Sequence, residues 1–530
     1  MTSQSSLPLP ERPNLEQLKK QAKSLLHAAR AADATALERF RLLPAFARKT
    51  LAELSAAGLA LHDAQSVIAR EYGFESWNAL REHVEERSLS FAGAADEFVR
   101  CATGSAAARA MRLLALHPGI AHANLYTELV LGDAERVKER LRAQPALATQ
   151  SGGLQEWEPL LYVCHTCLNR ERPAIADGLV AIARELLDRG ANANAEYHWQ
   201  WHPELPRTAL WGALCGTNHL PLAEALLERG ANPTDGVSLH ITAGGGNLPA
   251  LELLARFKVD PNGVPGGVPP LRYLLSWADT PVGARWLLEH GADPNLAWSQ
   301  HGDAPIHVAA QRWDVAMMEL LAQHGADIHQ RRIDGRTALT LAELHGNEPV
   351  AAWLRAQGAK DELSPLERFA AACSRGDRTG ADALLRSNPQ LRGQLGKEHH
   401  LMMQVPAERG DAAVLETMLT CGFDPNVPDH DGVTTLHRSA MAGRADATRV
   451  LLAHGASAVA LDGMFSGTPL LWAAEGWSHA TLPGVDYVAV ARLLIAAGSP
   501  TTWTPPERAP DPESTQDKLA ELCRLAAATD

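Results

Sequence analysis

Residues 434–455 read TTLHRSAMAGRADATRVLLAHG, and the order of events in this stretch decides the fold. A phrase of threonine, leucine and histidine gives way to small residues, then to an amphipathic run ending in Leu451-Leu452, then to Gly455. The same order recurs outward in both directions. APIHVAA at 304–310, TALTLA at 337–342 and TPLLWAA at 468–474 repeat the opening. Leu226-Leu227 before Gly230 and Leu287-Leu288 before Gly291 repeat the close. A short polar phrase then follows: ANPT at 231–234, ADPN at 292–295, FDPN at 423–426.

Each piece has a mechanical reason. The Thr468 hydroxyl can cap a helix start, and Pro469 suits the first turn because its missing N–H costs nothing there. Small pairs such as Ala309-Ala310 and Ala473-Ala474 let neighbouring short helices approach closely. The leucine pair supplies the buried stripe of a second helix. Gly291 and Gly455 stand where a left-handed residue ends that helix, and Asp, Pro and Asn then favour a turn. The predicted unit is helix, turn, helix and a hairpin-like finger. Landmark apolar residues mark its recurrence: Phe98, Leu125, Leu160, Leu210, Leu239, Leu271, Ile306, Leu339, Phe369, Met403, Leu436 and Leu470. All the gaps between them lie between 29 and 35 residues, except one of 27 and one of 50. A period near 33 means a stack of small units, none able to bury its apolar face alone. Such stacks are usually binding surfaces and seldom catalysts.

The pattern resembles that of ankyrin-repeat proteins, roughly G-x-TPLHxAA-xxG-xxxxVxxLLxxGAxxN, over about residues 96–503. The match is strong at 304–359 and 434–457, good at 158–299, and weak at 98–125 and 366–403. Phe369 opens FAAACSRGD, which keeps the small residues and Gly376 but lacks the TPLH start, and Lys258 stands near the place of a helix-ending glycine. The resemblance implies an all-α ankyrin-repeat solenoid of about twelve units that recognises a protein partner through a concave platform of fingers and short inner helices.

The ends differ from the array. Residues 1–12 read as a disordered tail and 13–90 as a helical module. Asn14 with Gln17 suggests a capping box before Leu15, Leu18, Ala22, Leu25 and Leu26, and Thr50 with Glu53 repeats the signal. Further helices are expected from about Asp63 to Tyr72 and from Ser76 to Glu86. NLEQLKKQAKSLL and DAQSVIAREYGFESWNALREHVE are similar to an N-terminal module that precedes ankyrin repeats in many bacterial proteins. Packing on the first repeat and shielding its exposed face is its expected role. At the other end, residues 504–513 make a Pro-rich linker, and 514–530 a helix bearing Leu519, Leu522 and Leu525 that covers the last repeat.

Composition bounds the function. At 530 residues the chain is too long for one core. Its formal charge is −13, yet residues 11–87 hold 12 Lys+Arg against 11 Asp+Glu, so the array carries most of the negative charge. An acidic array repels phosphate backbones, which argues against nucleic acid and favours a protein partner with a basic patch. Seven scattered cysteines make no disulfide framework, so a reducing compartment is expected. Met1–Pro10 shows no secretory signal and no apolar run is long enough for a membrane span, so the expected location is the cytoplasm.

Chemistry is mostly set aside. Cys164-His165-Thr166-Cys167 lacks a second ligand pair for zinc, so Cys164 reads as core and Cys167 as turn. His399-His400 are adjacent and point apart on a helix; His307 and His437 should hydrogen-bond near their helix starts. No phosphate-loop, dinucleotide or HExxH motif occurs. No catalytic, cofactor or metal residue is assigned, and an enzyme or metal-binding protein is the remote alternative.

The breaks in the period carry the specificity. NRERPAIAD at 169–177 and SHATLPGVD at 478–486 read as loops between helices, and EYHWQWHPELP at 196–206 lengthens a finger. His198, Trp199, Trp201 and His202 crowd that finger, and Trp298 and His301 fall in another. Large aromatics are enriched at interface hot spots, so these six are the candidate partner-binding residues. Trp211 and Trp472 lie inside first helices and read as packing residues. The alternative function is a scaffold holding several partners.

Overall fold

The computed structural model describes residues 7–10, 13–104, 106–169, 172–198, 206–265, 267–278, 280–299, 301–360, 363–478, 484–504 and 512–527. Among the described residues the chain is all-α apart from one short antiparallel strand pair, Glu196–His198 with Pro206–Thr208. It divides into two compact units, Met1–Glu185 and Leu186–Asp530.

The first unit opens with helix Leu15–Arg30, capped by Asn14 Oδ1, which accepts the N–H groups of Glu16 (2.8 Å) and Gln17 (3.2 Å). Thr50 and Glu53 form the reciprocal box at the start of Leu51–Ala56. Leu61–Glu71 and Trp77–Ser88 follow, the second capped by Ser76 Oγ on the Ala79 N–H. Leu18, Ala22, Leu25, Phe40, Leu54, Val67 and Leu80 close one core. Glu86 is buried; desolvation raises its pKa, opposed by the Arg112 guanidinium at 3.1 Å.

Helix pairs then take over: Phe91–Thr103 with Ala107–Leu116, Leu125–Val130 with Ala134–Ala143, and Pro159–His165 with Pro173–Asp188. The expected loop at 169–177 is shorter than its sequence suggests. Residues 173–177 are the first turns of the second helix, because Pro173 sits at the helix start and Ala174, Ile175 and Ala176 prolong the apolar face. Gly178 makes that placement possible: a Cβ there would lie 2.0 Å from the Gly132 carbonyl oxygen.

In the second unit the regular repeats run as expected, for example Pro305–Arg312 with Val315–Gln323, Ala338–Leu344 with Glu348–Ala356, and Thr435–Met441 with Ala445–Ala453. Gly230, Gly291, Gly325 and Gly455 all take φ between 83° and 94°. Lys258, standing in that place, takes φ 60° and bears the left-handed strain itself. Where the TPLH phrase is missing before Phe369, Ser364 and Glu367 form a capping box and Pro365 opens helix Pro365–Ser374. The weak unit around Met403 has its first helix broken into Lys397–Leu401 and Gln404–Arg409, with Met403 still buried. Each fully buried leucine of the second helices, such as Leu226, Leu287 and Leu321, contributes about 2 kcal/mol by leaving water.

Two side-chain series tie neighbouring units together. Asn194 donates Nδ2 to the Gly230 carbonyl (3.1 Å) and accepts the Asn232 N–H on Oδ1 (2.7 Å). Asn295 does the same with Gly325 and Asp327, and Asn426 with Gly455 and Ser457. These amides satisfy carbonyls that every helix end leaves unpaired. The histidines form the other series. His307 accepts the Ala304 N–H on Nδ1 (3.0 Å) and meets the Gln330 carbonyl with Nε2 (2.9 Å); His437 repeats this with Thr434 and Gly467. At the far end, helix Pro512–Ala527 packs on Pro469–Ser478 and Tyr487–Ala496, with Leu519 and Leu522 buried and Lys518 Nζ 2.8 Å from Glu475.

Candidate partner-binding surface

The long finger is a β-ribbon at its base. Tyr197 pairs with Arg207 and His198 with Pro206. Pleating alternates the side chains, leaving Glu196 and His198 exposed and Tyr197 half-buried. His198 Nε2 lies 3.6 Å from Glu196 Oε1. Trp199, Trp201 and His202 lie outside the described residues, as do 479–483 of the third insertion and 505–511 of the Pro-rich segment.

What the sequence did not announce is the partner of this ribbon. The Arg207 guanidinium lies over the Trp211 ring, 3.9 Å from its centroid. Burial lowers the Arg207 pKa and raises that of Tyr197, so a guanidinium is held in a partly dry aromatic setting. Trp211 occupies the position that histidine holds in TPLH and is half-buried. The helix that holds it is distorted, passing from Ala209–Trp211 into a π-helical segment at Gly212–Gly216. The Gly212 carbonyl accepts both the Thr217 N–H (2.8 Å) and the Thr217 Oγ1 hydroxyl (3.2 Å).

Helix Pro270–Trp277 links this finger to the one bearing Trp298. Tyr273 stands edge-on to His240 (5.4 Å) and Trp277 (5.9 Å), and its charge environment includes Arg207. Its neighbour Arg272 faces the other way, 5.4 Å above the Trp298 ring and 3.5 Å from Asp303 Oδ2. Trp298 and Asp303 exchange backbone hydrogen bonds of 3.0 and 2.8 Å across the finger. Ser299 Oγ donates to Asp303 Oδ2, and Arg332 lies 3.3 Å from Asp303 Oδ1. The His301 carbonyl accepts the Ile333 N–H (2.9 Å), joining this fingertip to the next. Trp298 is 36% exposed and Ile333 78% exposed. Arg272 Nε and Arg332 Nε are buried without a hydrogen-bond partner among the described residues, and burial lowers the Arg272 pKa.

The structure brings Trp298 and His301 together with residues that sequence reading missed, Arg207, Arg272, Tyr273 and Ile333, whereas the pleat sets His198 on the opposite face of the ribbon from Arg207. The signal for Ile333 was present, because an isoleucine inside the fingertip phrase RRIDG at 331–335 breaks a polar turn. Trp472 is also half-buried, with Arg438 6.0 Å from its ring and its Nε1 donating to Asp462 (3.0 Å).

Other polar clusters are committed internally. Burial raises the Cys164 thiol pKa, and Cys167 Sγ points at the Cys101 carbonyl (3.7 Å). His399 Nδ1 accepts the Gly396 N–H and His400 Nδ1 the Asp424 N–H. Asp429, His430 and Asp431 place ligand atoms within 4.8 Å of one another, but Asp429 already accepts from Arg438 and from the Asp431 and Val433 N–H groups. Among the described residues no helix is long and apolar enough to cross a membrane.

Paired antiparallel helices, glycine-ended and followed by a finger, define a helix-turn-helix repeat protein. The sequence model described as Ankyrin repeats (3 copies) matches residues 283–364 and 401–501. Bovine cyclin-dependent kinase 4 inhibitor B is 33% identical over 132 residues, which cover 25% of this chain and 97% of that protein. The chain belongs to the ankyrin-repeat family. Human SH3 and multiple ankyrin repeat domains protein 2 is 29% identical over 32% of this chain, and the Arabidopsis potassium channel AKT2/3 is 26% identical over 35%. The matched stretch spans only 9% and 19% of those two proteins. The crystallised ankyrin repeat domain of human ASB11 is 22% identical, covering 45% of this chain and 99% of that one, with a TM-score of 0.34. The repeat is a general protein–protein interaction module on a fold that is typically non-catalytic.

Proposed function

We propose that the protein is a recognition module that holds a protein partner along the fingers and first helices of its second unit. One observation carries this reading: Arg207 on Trp211, Tyr273, Arg272 on Trp298, and Ile333 recur over the units from Leu210 to Leu339, half-buried at one end and exposed at the other. Arginine, tyrosine and tryptophan in a partly desolvated setting are the residue types that dominate interface energetics. The net charge of −13 steers a partner with a basic patch toward it at long range. Seven free thiols suit a reducing compartment such as the cytoplasm. The helices of residues 13–90 shield the first repeats, and those of 514–530 cover the last one.

The test uses the full chain as bait in a lysate of its native cells, with Trp298→Ala/Ile333→Ser as the comparison. Loss of a hot-spot pair of about 2 kcal/mol lowers recovery of specifically bound protein by more than tenfold. Equal recovery by a variant of unchanged thermal midpoint sinks the reading.

A further inference from the structure

The first helix of each unit runs from its finger to a turn, and beside the two irregular units these turns enclose a cleft. Helix Pro365–Ser374 packs on Ala412–Thr420, the second helix of the next unit, whose first helix is the broken one ending at Arg409. Arg409 reaches back across two units, and its Nη2 donates to the Arg312 carbonyl at 3.3 Å. The cleft holds about 300 Å³ and lies at the far end of the first helices from the fingers. Val405, Pro406 and Val414 give it apolar surface, and His345, Arg375 and Arg409 turn nitrogens to it.

Its charge runs against that of the chain. Arg375 and Arg409 are exposed to solvent, and among the described residues neither guanidinium forms an ion pair. The lining holds two carboxylates. Glu348 is engaged by Arg355 at 3.0 Å, which leaves Asp411, exposed to solvent, against two arginines. His345 adds no charge at neutral pH, because burial and then Arg332, Arg336 and Arg409 lower its pKa to about 4. Helices Glu348–Ala356 and Ala412–Thr420 both begin at the cleft without a side-chain cap, so their positive ends add to the field.

We propose that this cleft docks an acidic peptide segment of a partner protein. A carboxylate of the segment lies between Arg375 and Arg409, and an adjoining apolar side chain packs on Val405, Pro406 and Val414. Charge complementarity selects the occupant: the planar guanidinium fork matches a carboxylate, and two such forks here lack one. An extended phosphate backbone is disfavoured, because a net charge of −13 repels a long polyanion while a short acidic segment meets only the local field. The site goes beyond the finger surface, and the two are separate places on the second unit.

The test titrates the full-length protein into a fluorescein-labelled peptide of four glutamates ending in leucine and follows its anisotropy. Saturable binding that weakens as salt rises is expected. Arg375→Gln and Arg409→Gln should each weaken it about tenfold, the effect of removing one charged hydrogen-bond donor. Trp298→Ala/Ile333→Ser should leave it unchanged, so failure of the finger surface and failure of this site give different results. Urea midpoints show that the variants are folded, and if Arg409→Gln does not fold, Arg375→Gln decides alone. No saturable binding by the wild-type protein overturns the proposal, as does equal binding by the folded arginine variants. An oligothymidylate that binds more tightly than the peptide, and is lost in the same variants, overturns the choice of an acidic peptide.

Discussion

The unit around Ile306 and the unit around Leu210 occupy equivalent places in the repeat, and they put the same position to opposite uses. In the first, His307 is buried, its two ring nitrogens spent on the Ala304 N–H and the Gln330 carbonyl. In the second, Trp211 takes that position, the helix relaxes into a π segment, and the indole faces Arg207 on a lengthened finger. The histidine version joins one unit to the next. The tryptophan version sets a half-buried aromatic ring beneath the Arg207 guanidinium of the finger.

The comparison breaks most readily at the regular end. Leu321→Ala empties a fully buried site in the second helix of the Ile306 unit, and we expect a loss of about 3 kcal/mol in urea unfolding. A loss below about 1 kcal/mol means the regular units are not the rigid part. His307→Ala leaves the Ala304 N–H and the Gln330 carbonyl buried without partners, costing about 2 kcal/mol by the same measurement. Trp211→Ala removes a half-buried ring under Arg207 and leaves no fully buried polar pair behind, so it should cost less than His307→Ala, and equal losses would remove the distinction drawn here.

Acid should act on the same histidines. Burial holds His240, His307 and His437 below the ordinary imidazole range, and lowers His345, with help from Arg332, Arg336 and Arg409, to about 4. The unfolded chain therefore takes up protons before the folded one does. Stability from these groups is complete above about pH 6.5 and is lost as the pH falls through that value toward the folded-state pKa. The urea midpoint should fall between about pH 7.5 and about pH 5.5, and His307→Gln should flatten the slope. A midpoint that does not move over that range contradicts the assignment.

Smaller effects sharpen the picture. Asn295→Ala removes one finger-to-helix amide bridge and should cost about 1 kcal/mol. Trp298→Ala, at an exposed fingertip, should change stability by less than about 0.5 kcal/mol while reducing partner capture, which separates recognition from folding.

Much of the fold was legible because its signals are local. Thr50 with Glu53, Ser76, the leucine pairs and the helix-ending glycines act within a few residues of themselves. Where the local signal was weak, the reading slipped. Residues 173–177 form helix because an apolar face continues through them. The Phe369 unit reads as lacking the TPLH start, and its helix Pro365–Ser374 is indeed opened by Ser364 and Glu367. The candidate surface was legible only in its aromatics. Arg207, Arg272 and Tyr273 could not be recognised, because a guanidinium over a ring depends on the register of a ribbon and the packing of a neighbouring helix.

By itself, the sequence determined that this chain is a stack of helix pairs, since caps, periodicity and left-handed ends are written within each unit of about 33 residues. Only the tertiary structure decided which distant residues meet. Asn295 reaches Gly325, Arg272 covers Trp298, and His437 meets Gly467. Those contacts join separate units, and their distances follow from how one apolar face seats on the next.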